Sequence, residues 1–398
     1  MKVLKTLTIM FVIVFLLLST SFCSIYLYKN HHLNFLRPLY YDLLPSDDPL
    51  LDVEEDNLAL FNDIQETEPI MRMEIENKNI FLEWQENARN KFKELLGIKE
   101  KTSLDKKGIK IISKEELGDG VERLEIIYLS KDEIEIPCYL FLHEDRKENT
   151  NTENKKLRPG ILLIPGHGNI EQTAGLVKTD AGYYELKYNK GYQNANAEFL
   201  AKQGYVTLTC ENRGQGKLSR LNTHVIMANA LSIGRTYQGV LLNDHMAEIT
   251  LLQSLNSVDD DKIGVAGVSL GGEQALYLGA IDERVKATVS MGWISSHKIL
   301  IYPNIDIDWI IPNLITYFDQ ESIGALIAPR AALFSNGAEE IKKGPGWFNS
   351  ELAIETTNEV KKAYDLFEQE DKVSYIEHPG SHTFDNEVAL KFFNEHLS

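Results

Sequence analysis

Apolar positions along the chain follow two alternating rhythms, one helical and one of short continuous runs. Ile80, Trp84, Ala88, Phe92 and Leu95 recur at helical spacing, and Gly97 stands where a helix would need a left-handed cap. Val121–Leu129 and Ile134–Leu142 predict two strands joined by Ser130-Lys131-Asp132-Glu133, an antiparallel pair. Short apolar runs then predict buried strands at Ile161–Ile164 and Ile263–Val268, and further strands at Val206–Cys210, Ala287–Met291, Ala331–Ser335 and Val373–Glu377. Helical patterns lie between and after them: Asn194–Gln203, Val240–Leu255, Glu273–Leu278, a stretch within Glu351–Glu370, and Glu387–His396. Within Glu351–Glu370, Ile354, Val360, Ala363, Tyr364 and Phe367 are expected on the inner face. Strands alternating with helices predict an α/β fold with a mainly parallel sheet covered on both faces. The polar run His143–Lys156 predicts a surface loop, and no internal repeat is present.

The first residues break this rhythm. Lys2 and Lys5 precede a stretch from Thr6 to Tyr28 with no charged side chain, long enough to span a bilayer. It is read as an uncleaved anchor, with Tyr26 and Tyr28 suited to a membrane interface and the positive end inside. The competing reading is a cleaved signal peptide, with Leu7–Leu18 as apolar region and Ser19-Thr20-Ser21 as cleavage region. A lipoprotein signal is disfavoured by the large Phe22 before Cys23. Both main readings export the rest of the chain. The expected organisation is therefore residues 1–29 as anchor or signal, 30–79 as an acidic spacer with Pro38, Pro45 and Pro49, and 80–398 as the body with an N-terminal helical cover.

Composition changes the picture mainly by exclusion. The chain has 398 residues and a formal net charge of −18, with no concentrated basic surface, which argues against nucleic acid. The hydrophobic share of 43% is ordinary for a globular protein. No Cys/His cluster has zinc spacing, so no metal is expected. Cys23 lies in the leader. Cys138 and Cys210 fall in predicted strands and are read as two buried free thiols, a bridge being conceivable only outside the cytosol. Nothing in the pattern specifies an oligomer.

The chemistry gathers around Lys262–Gly272. The strand Ile263–Val268 runs into Gly267-Val268-Ser269-Leu270-Gly271, a G-x-S-x-G turn, and then into a helix, the context of a nucleophile elbow. Serine at its free pKa is a poor nucleophile and needs a base. In the chain order that accompanies such an elbow, acid and histidine follow the serine. His297 comes too soon, and His396 lies on the last helix. His382, in the loop past Pro379-Gly380, is the expected base, with His378 as a structural histidine. After the strand Ala331–Ser335, Asn336-Gly337-Ala338-Glu339-Glu340 offers two glutamates, either of which could hold the imidazole; Glu340 is preferred. Backbone N–H groups of Leu270 and of His167, in Pro165-Gly166-His167-Gly168, are the expected oxyanion donors. His167 as the base is excluded by chain order.

These residues resemble the α/β-hydrolase superfamily and, within it, the acetyl xylan esterase and dienelactone hydrolase-like serine esterases, from about Ile80 to the C-terminus. The resemblance rests on Gly166-His167-Gly168, Glu211-Asn212-Arg213-Gly214-Gln215-Gly216, Gly267–Gly272, Ile327-Ala328-Pro329-Arg330 and Gly380-Ser381-His382-Thr383-Phe384. It implies an α/β-hydrolase fold and a serine ester hydrolase acting through an acyl-enzyme without cofactor, with small-molecule or carbohydrate acetyl esters as substrates. In that family the acid is usually Asp, three residues after a glycine; counting from Gly337 reaches Glu340. Glu211 likewise replaces a usual Asp and is read as structural, pairing with nearby backbone or with Arg213. Dienelactone hydrolases proper carry Cys at the nucleophile, so Ser269 points away from their substrate. Tyr183, Tyr184, Tyr188 and Tyr192 in the insertion Asn169–Asn196, with Trp293 and Trp347, are candidate pocket walls. Competing readings are a serine peptidase of the prolyl-oligopeptidase type lacking its propeller, and an inactive hydrolase fold serving as a binding protein.

Overall fold

The computed structural model describes residues 63–64, 66–98, 108–143, 157–176, 191–297, 309–340 and 350–398. The expected membrane or signal helix lies outside the described residues. Among those described, no helix is long and apolar enough to cross a membrane. A compact unit runs from Thr67 to Ser398.

Its centre is a nine-stranded sheet: β1 (Lys110–Gly118), β2 (Val121–Leu129), β3 (Glu135–His143), β4 (Arg158–Ile164), β5 (Val206–Cys210), β6 (Val258–Val268), β7 (Val285–Met291), β8 (Ala331–Gly337) and β9 (Val373–His378). The spatial order is β1-β2-β3-β5-β4-β6-β7-β8-β9. The pairs from β1 to β5 along this order are antiparallel, and from β5 onward every pair is parallel. Side chains on a strand alternate between faces, and here each face has its own core. Leu162 and Ile164 of β4, with Ile263 and Val265 of β6, pack into one cluster. Ile161 and Leu163, with Ala266 and Val268, pack into the other.

Helices α1 (Lys78–Leu96), α4 (Tyr237–Gln253), α5 (Leu270–Ile281) and α6 (Ser350–Asp365) contribute to the first core. Helices α2 (Asn196–Lys202) and α7 (Asn386–His396) contribute to the second. A further helix, α3 (Thr223–Leu231), packs Met227 with Tyr237, Leu241 and Leu270. Helix α1 is capped by the Asn77 side chain and ends at Gly97, whose φ of 66° is the left-handed cap the sequence predicts. It covers the body through Phe81, Trp84, Ala88, Phe92 and Leu96, while Gln85 donates to the carbonyl of Ala328 at 2.8 Å. Arg330, from the Ile327–Arg330 motif, donates to the carbonyls of Gly279 at 2.7 Å and Val285 at 2.8 Å, placing a cation at the C-terminal end of α5.

Three expectations are corrected. Strand β1 is missing from the sequence reading because all but one of its residues are exposed, so no buried face marks it. On α6, Val360, Ala363 and Tyr364 are buried as expected, but Ile354 is 44% exposed and Ala353, Thr356 and Thr357 complete the inner face in its place. Phe367, expected on that face, lies beyond the helix end and is partly buried. Cys138 and Cys210 form a disulfide rather than two free thiols. They lie 72 residues apart in sequence, but β5 rather than β4 pairs with β3, and the two cysteines are directly opposite in that register.

The bridge predicts a stability difference. Cys138→Ala/Cys210→Ala should unfold about 2–4 kcal/mol more easily than the oxidised protein. Thermal melts of wild type with and without reductant, beside the double variant, measure it; identical midpoints would remove the disulfide as a stabilising element.

Candidate active site

Strand order determines where a site can form. β4 leads to β5 on one side, while β6 lies on its other side. The segments leaving the carboxyl ends of β4 and β6 therefore diverge and open a crevice, the usual binding position of such sheets. The segments after β4 and β6 carry His167 and Ser269, and those after β8 and β9 carry Glu340 and His382.

Ser269 has φ 63° and ψ −128°, a conformation costly for any residue with a Cβ, on the order of 1–3 kcal/mol. Its surroundings enforce it. Its N–H donates to the carbonyl of Met291 at 3.0 Å, locking the turn onto β7. A Cβ on Gly271 would come within 2.2 Å of the Ile164 carbonyl, and one on Gly272 within 2.2 Å of the Met291 carbonyl. The glycines of the motif thus let α5 start jammed against both neighbouring strands. Leu270 is its first residue, where the backbone N–H has no partner within the helix.

His382 stands in the loop after β9. Its Nδ1 is paired with Oε1 of Glu340, a carboxylate only 8% exposed. Glu339 is exposed, and its N–H donates to Gly380 O at 2.8 Å. Ala338 N–H donates to His378 O at 2.9 Å, so the acid-bearing and histidine-bearing loops are zipped together. Gly337 allows this closeness: a Cβ there would lie 2.2 Å from Ser381 O. His382 also leans on Gly292, just past the Met291 carbonyl that holds Ser269. Ser269 therefore stands at the end of β6 and the joined Glu340 and His382 at the ends of β8 and β9, with the end of β7 between them. His378 is buried, bonded through Nδ1 to Ser335 Oγ at 2.8 Å, and burial lowers its pKa. His297 is buried against Tyr277 and Asp319, and burial pushes its pKa down too.

The loop holding His167 is pinned from three sides. Asn212 Nδ2 donates to Pro165 O at 2.8 Å, Gln215 Oε1 accepts from Gly168 N–H at 3.3 Å, and Tyr192 Oη donates to His167 O at 2.8 Å. Residues 60–379 match the Abhydrolase family. The chain belongs to this family. The α/β-hydrolase assignment therefore stands, and it agrees with the expectation of a carboxylic ester hydrolase. A protein of Bacillus subtilis (strain 168), "Putative hydrolase YtaP", is 28% identical over 188 residues, covering 46% of this chain and 60% of the relative's own length. Among solved structures, "a putative acetyl xylan esterase" from Bacteroides fragilis NCTC 9343 is similar at a TM-score of 0.64 and 20% identity, covering 80% of this chain and 81% of that one. A glucuronoyl esterase from Solibacter usitatus is similar at 0.58 and 15%, covering 80% and 94%. At these identities the two structures speak for the fold.

In this Abhydrolase chain, the Glu211–Gly216 motif is the frame behind the loop of His167. Glu211 is buried and accepts from the backbone N–H of Lys217 at 3.0 Å, the first of its two expected partners. Arg213 instead makes paired bonds to Asp132, 2.6 and 2.7 Å, and to Asp244, also 2.6 and 2.7 Å. Asn212 and Gln215 escaped the sequence reading as functional residues because the motif carried them only by likeness. Trp309 escaped it too; its ring lies 5.3 Å from Trp293 and 6.5 Å from the His167 ring, beginning an aromatic wall beside the loop. Tyr183, Tyr184, Tyr188 and Trp347 lie outside the described residues. Among the described residues, no group of three or more His, Cys, Asp or Glu is placed to hold a metal.

Burial raises the Glu211 carboxyl to about 7, against the Lys217 N–H, which favours the ionised form. A carboxyl whose folded pKa is raised contributes stability that is complete below the unfolded pKa and lost as pH rises through the folded one. Relative to Glu211→Gln, neutral at every pH, wild type should therefore lose up to about 3 kcal/mol between pH 4.5 and 8. Urea unfolding of both proteins across that range measures it, and a pH-independent difference would contradict the assignment.

Proposed function

We propose that the chain is a serine ester hydrolase in which Ser269, His382 and Glu340 form the catalytic triad. The observation that carries this reading is the Glu340–His382 pair, packed on Gly292 next to the Met291 carbonyl that holds the strained Ser269 turn. Ser269 Oγ attacks the ester carbonyl while His382 Nε2 takes its proton, and Glu340 at Nδ1 stabilises the imidazolium that forms. The N–H groups of Leu270 and His167 receive the developing oxyanion at the head of α5. The imidazolium then protonates the departing alcohol, and water, activated by the same histidine, releases the acid from the acyl-enzyme.

Carbohydrate esters are the substrate class we favour. Trp309, partly exposed and packed on the buried Trp293 beside His167, would suit the apolar face of a sugar ring, and the similar structures include an acetyl xylan esterase and a glucuronoyl esterase. We further propose that the body works outside the cytoplasm, tethered by the apolar segment near Thr6–Tyr28. The Cys138–Cys210 disulfide supports an oxidising compartment.

Ser269→Ala should stay folded and lose about 10⁶-fold in turnover. Glu340→Gln should lower kcat by roughly 10⁴ with geometry kept, and the exposed Glu339→Gln should do little. A panel of acyl esters that includes acetylated sugars, run in parallel with peptide amides, measures these effects and ranks the substrates. Activity of Ser269→Ala within tenfold of wild type, or damage from Glu339→Gln alone, would overturn the assignment.

A reporter fused after Ser398 should be exported, and the mature protein in the membrane fraction should keep its N-terminus. N-terminal sequencing reads this directly: a chain beginning near Phe22 means secretion after cleavage, and an unexported reporter removes the location altogether.

A further inference from the structure

Tyr192 touches both halves of the site at once. Its hydroxyl donates to the carbonyl of His167 at 2.8 Å, while its ring stacks on the imidazole of His382, centroids 5.8 Å apart and planes within 14°. Its own carbonyl accepts from Phe384 N–H at 2.8 Å, two residues beyond His382. Asn194 continues the seam, with Nδ2 donating to Phe384 O at 3.3 Å and its carbonyl accepting from Asn386 Nδ2 at 2.9 Å. The phenol is buried, and Gly166 is shaped around it: a Cβ there would sit 2.1 Å from the hydroxyl oxygen.

Each contact acts on something the chemistry needs. The bond to His167 O orients the peptide after His167 and so limits rotation of the backbone that presents the His167 N–H. The stacked ring limits rotation of the His382 imidazole about its Cβ–Cγ bond. Glu340 alone holds Nδ1 at one point and leaves the ring plane to be set by packing. An oxyanion donor and a base must keep their places within a fraction of an ångström relative to each other. A single rigid side chain spanning both is a direct way to do so.

We propose that Tyr192 is a positioning residue that couples the oxyanion loop to the base: its hydroxyl sets the His167 segment and its ring sets the plane of His382. The assignment rests on the triad reading above. It separates the two functions of one side chain, so they can be removed one at a time.

The full-length protein is compared with Tyr192→Phe and Tyr192→Leu, each also in a His382→Ala background, with 4-nitrophenyl acetate as substrate and a fluorophosphonate as active-site label. Tyr192→Phe keeps the stack and loses the hydroxyl; kcat should fall about tenfold, the effect of one hydrogen bond, with KM unchanged. Tyr192→Leu should lose about tenfold more, by freeing the base. In the His382→Ala background the Phe effect should persist in residual hydrolysis and labelling rate, and the step from Phe to Leu should vanish. Wild-type kcat in Tyr192→Phe, a loss confined to KM, or a Phe-to-Leu step that survives without His382 would each overturn the proposal. Tyr192→Phe preserves the buried ring and decides the question alone should Tyr192→Leu not fold. If Ser269→Ala is inactive while Tyr192→Phe equals wild type, only this inference falls. If Ser269→Ala stays active, the triad reading falls and this one with it.

Discussion

The structure depends on one close approach, the seating of the α5 N-terminus between the carboxyl ends of β4 and β7. Gly271 meets the Ile164 carbonyl and Gly272 meets the Met291 carbonyl at separations that admit no Cβ. That seating leaves Ser269 no room for an ordinary backbone conformation, and its positive φ is imposed rather than preferred. The two cores on either side of the sheet supply the burial that offsets the strain. The serine is consequently raised from the turn by packing in which it takes almost no part.

From that point the site extends by backbone hydrogen bonds between loops rather than by long side chains. The Met291 carbonyl holds Ser269, and the next residue, Gly292, supports His382. The loop of Glu340 is bonded to the loop of His382 through Ala338 and Glu339 N–H groups. The Glu340 carboxylate then needs to supply only the last step, the contact at Nδ1.

Polar groups behind the loop of His167 do a second kind of work. Glu211 bonds backbone at Lys217, and Asn212 and Gln215 hold the loop itself. Arg213 joins the β2–β3 turn, through Asp132, to α4, through Asp244. Glu211 and Asn212 are buried, so removing either leaves a backbone partner unsatisfied.

The sequence by itself determined what is local. Apolar runs marked eight of the strands, because a strand that packs on a core carries apolar side chains whatever its neighbours are; the exposed edge strand β1 carried no such mark. The elbow motif located Ser269, and chain order narrowed the histidine to His382, because connectivity constrains which strand ends follow. Tertiary structure decided what depends on adjacency. Glu340 rather than Glu339 reaches the imidazole because the Gly337 loop is bonded to Gly380 and His378, a matter of orientation that two neighbouring glutamates cannot express in one dimension. Cys138 and Cys210 are bridged because β5, not β4, lies beside β3. Tyr192 looked like one pocket-wall tyrosine among four, and its contacts with His167 and His382 exist only once residues 25 and 190 positions away are folded against it.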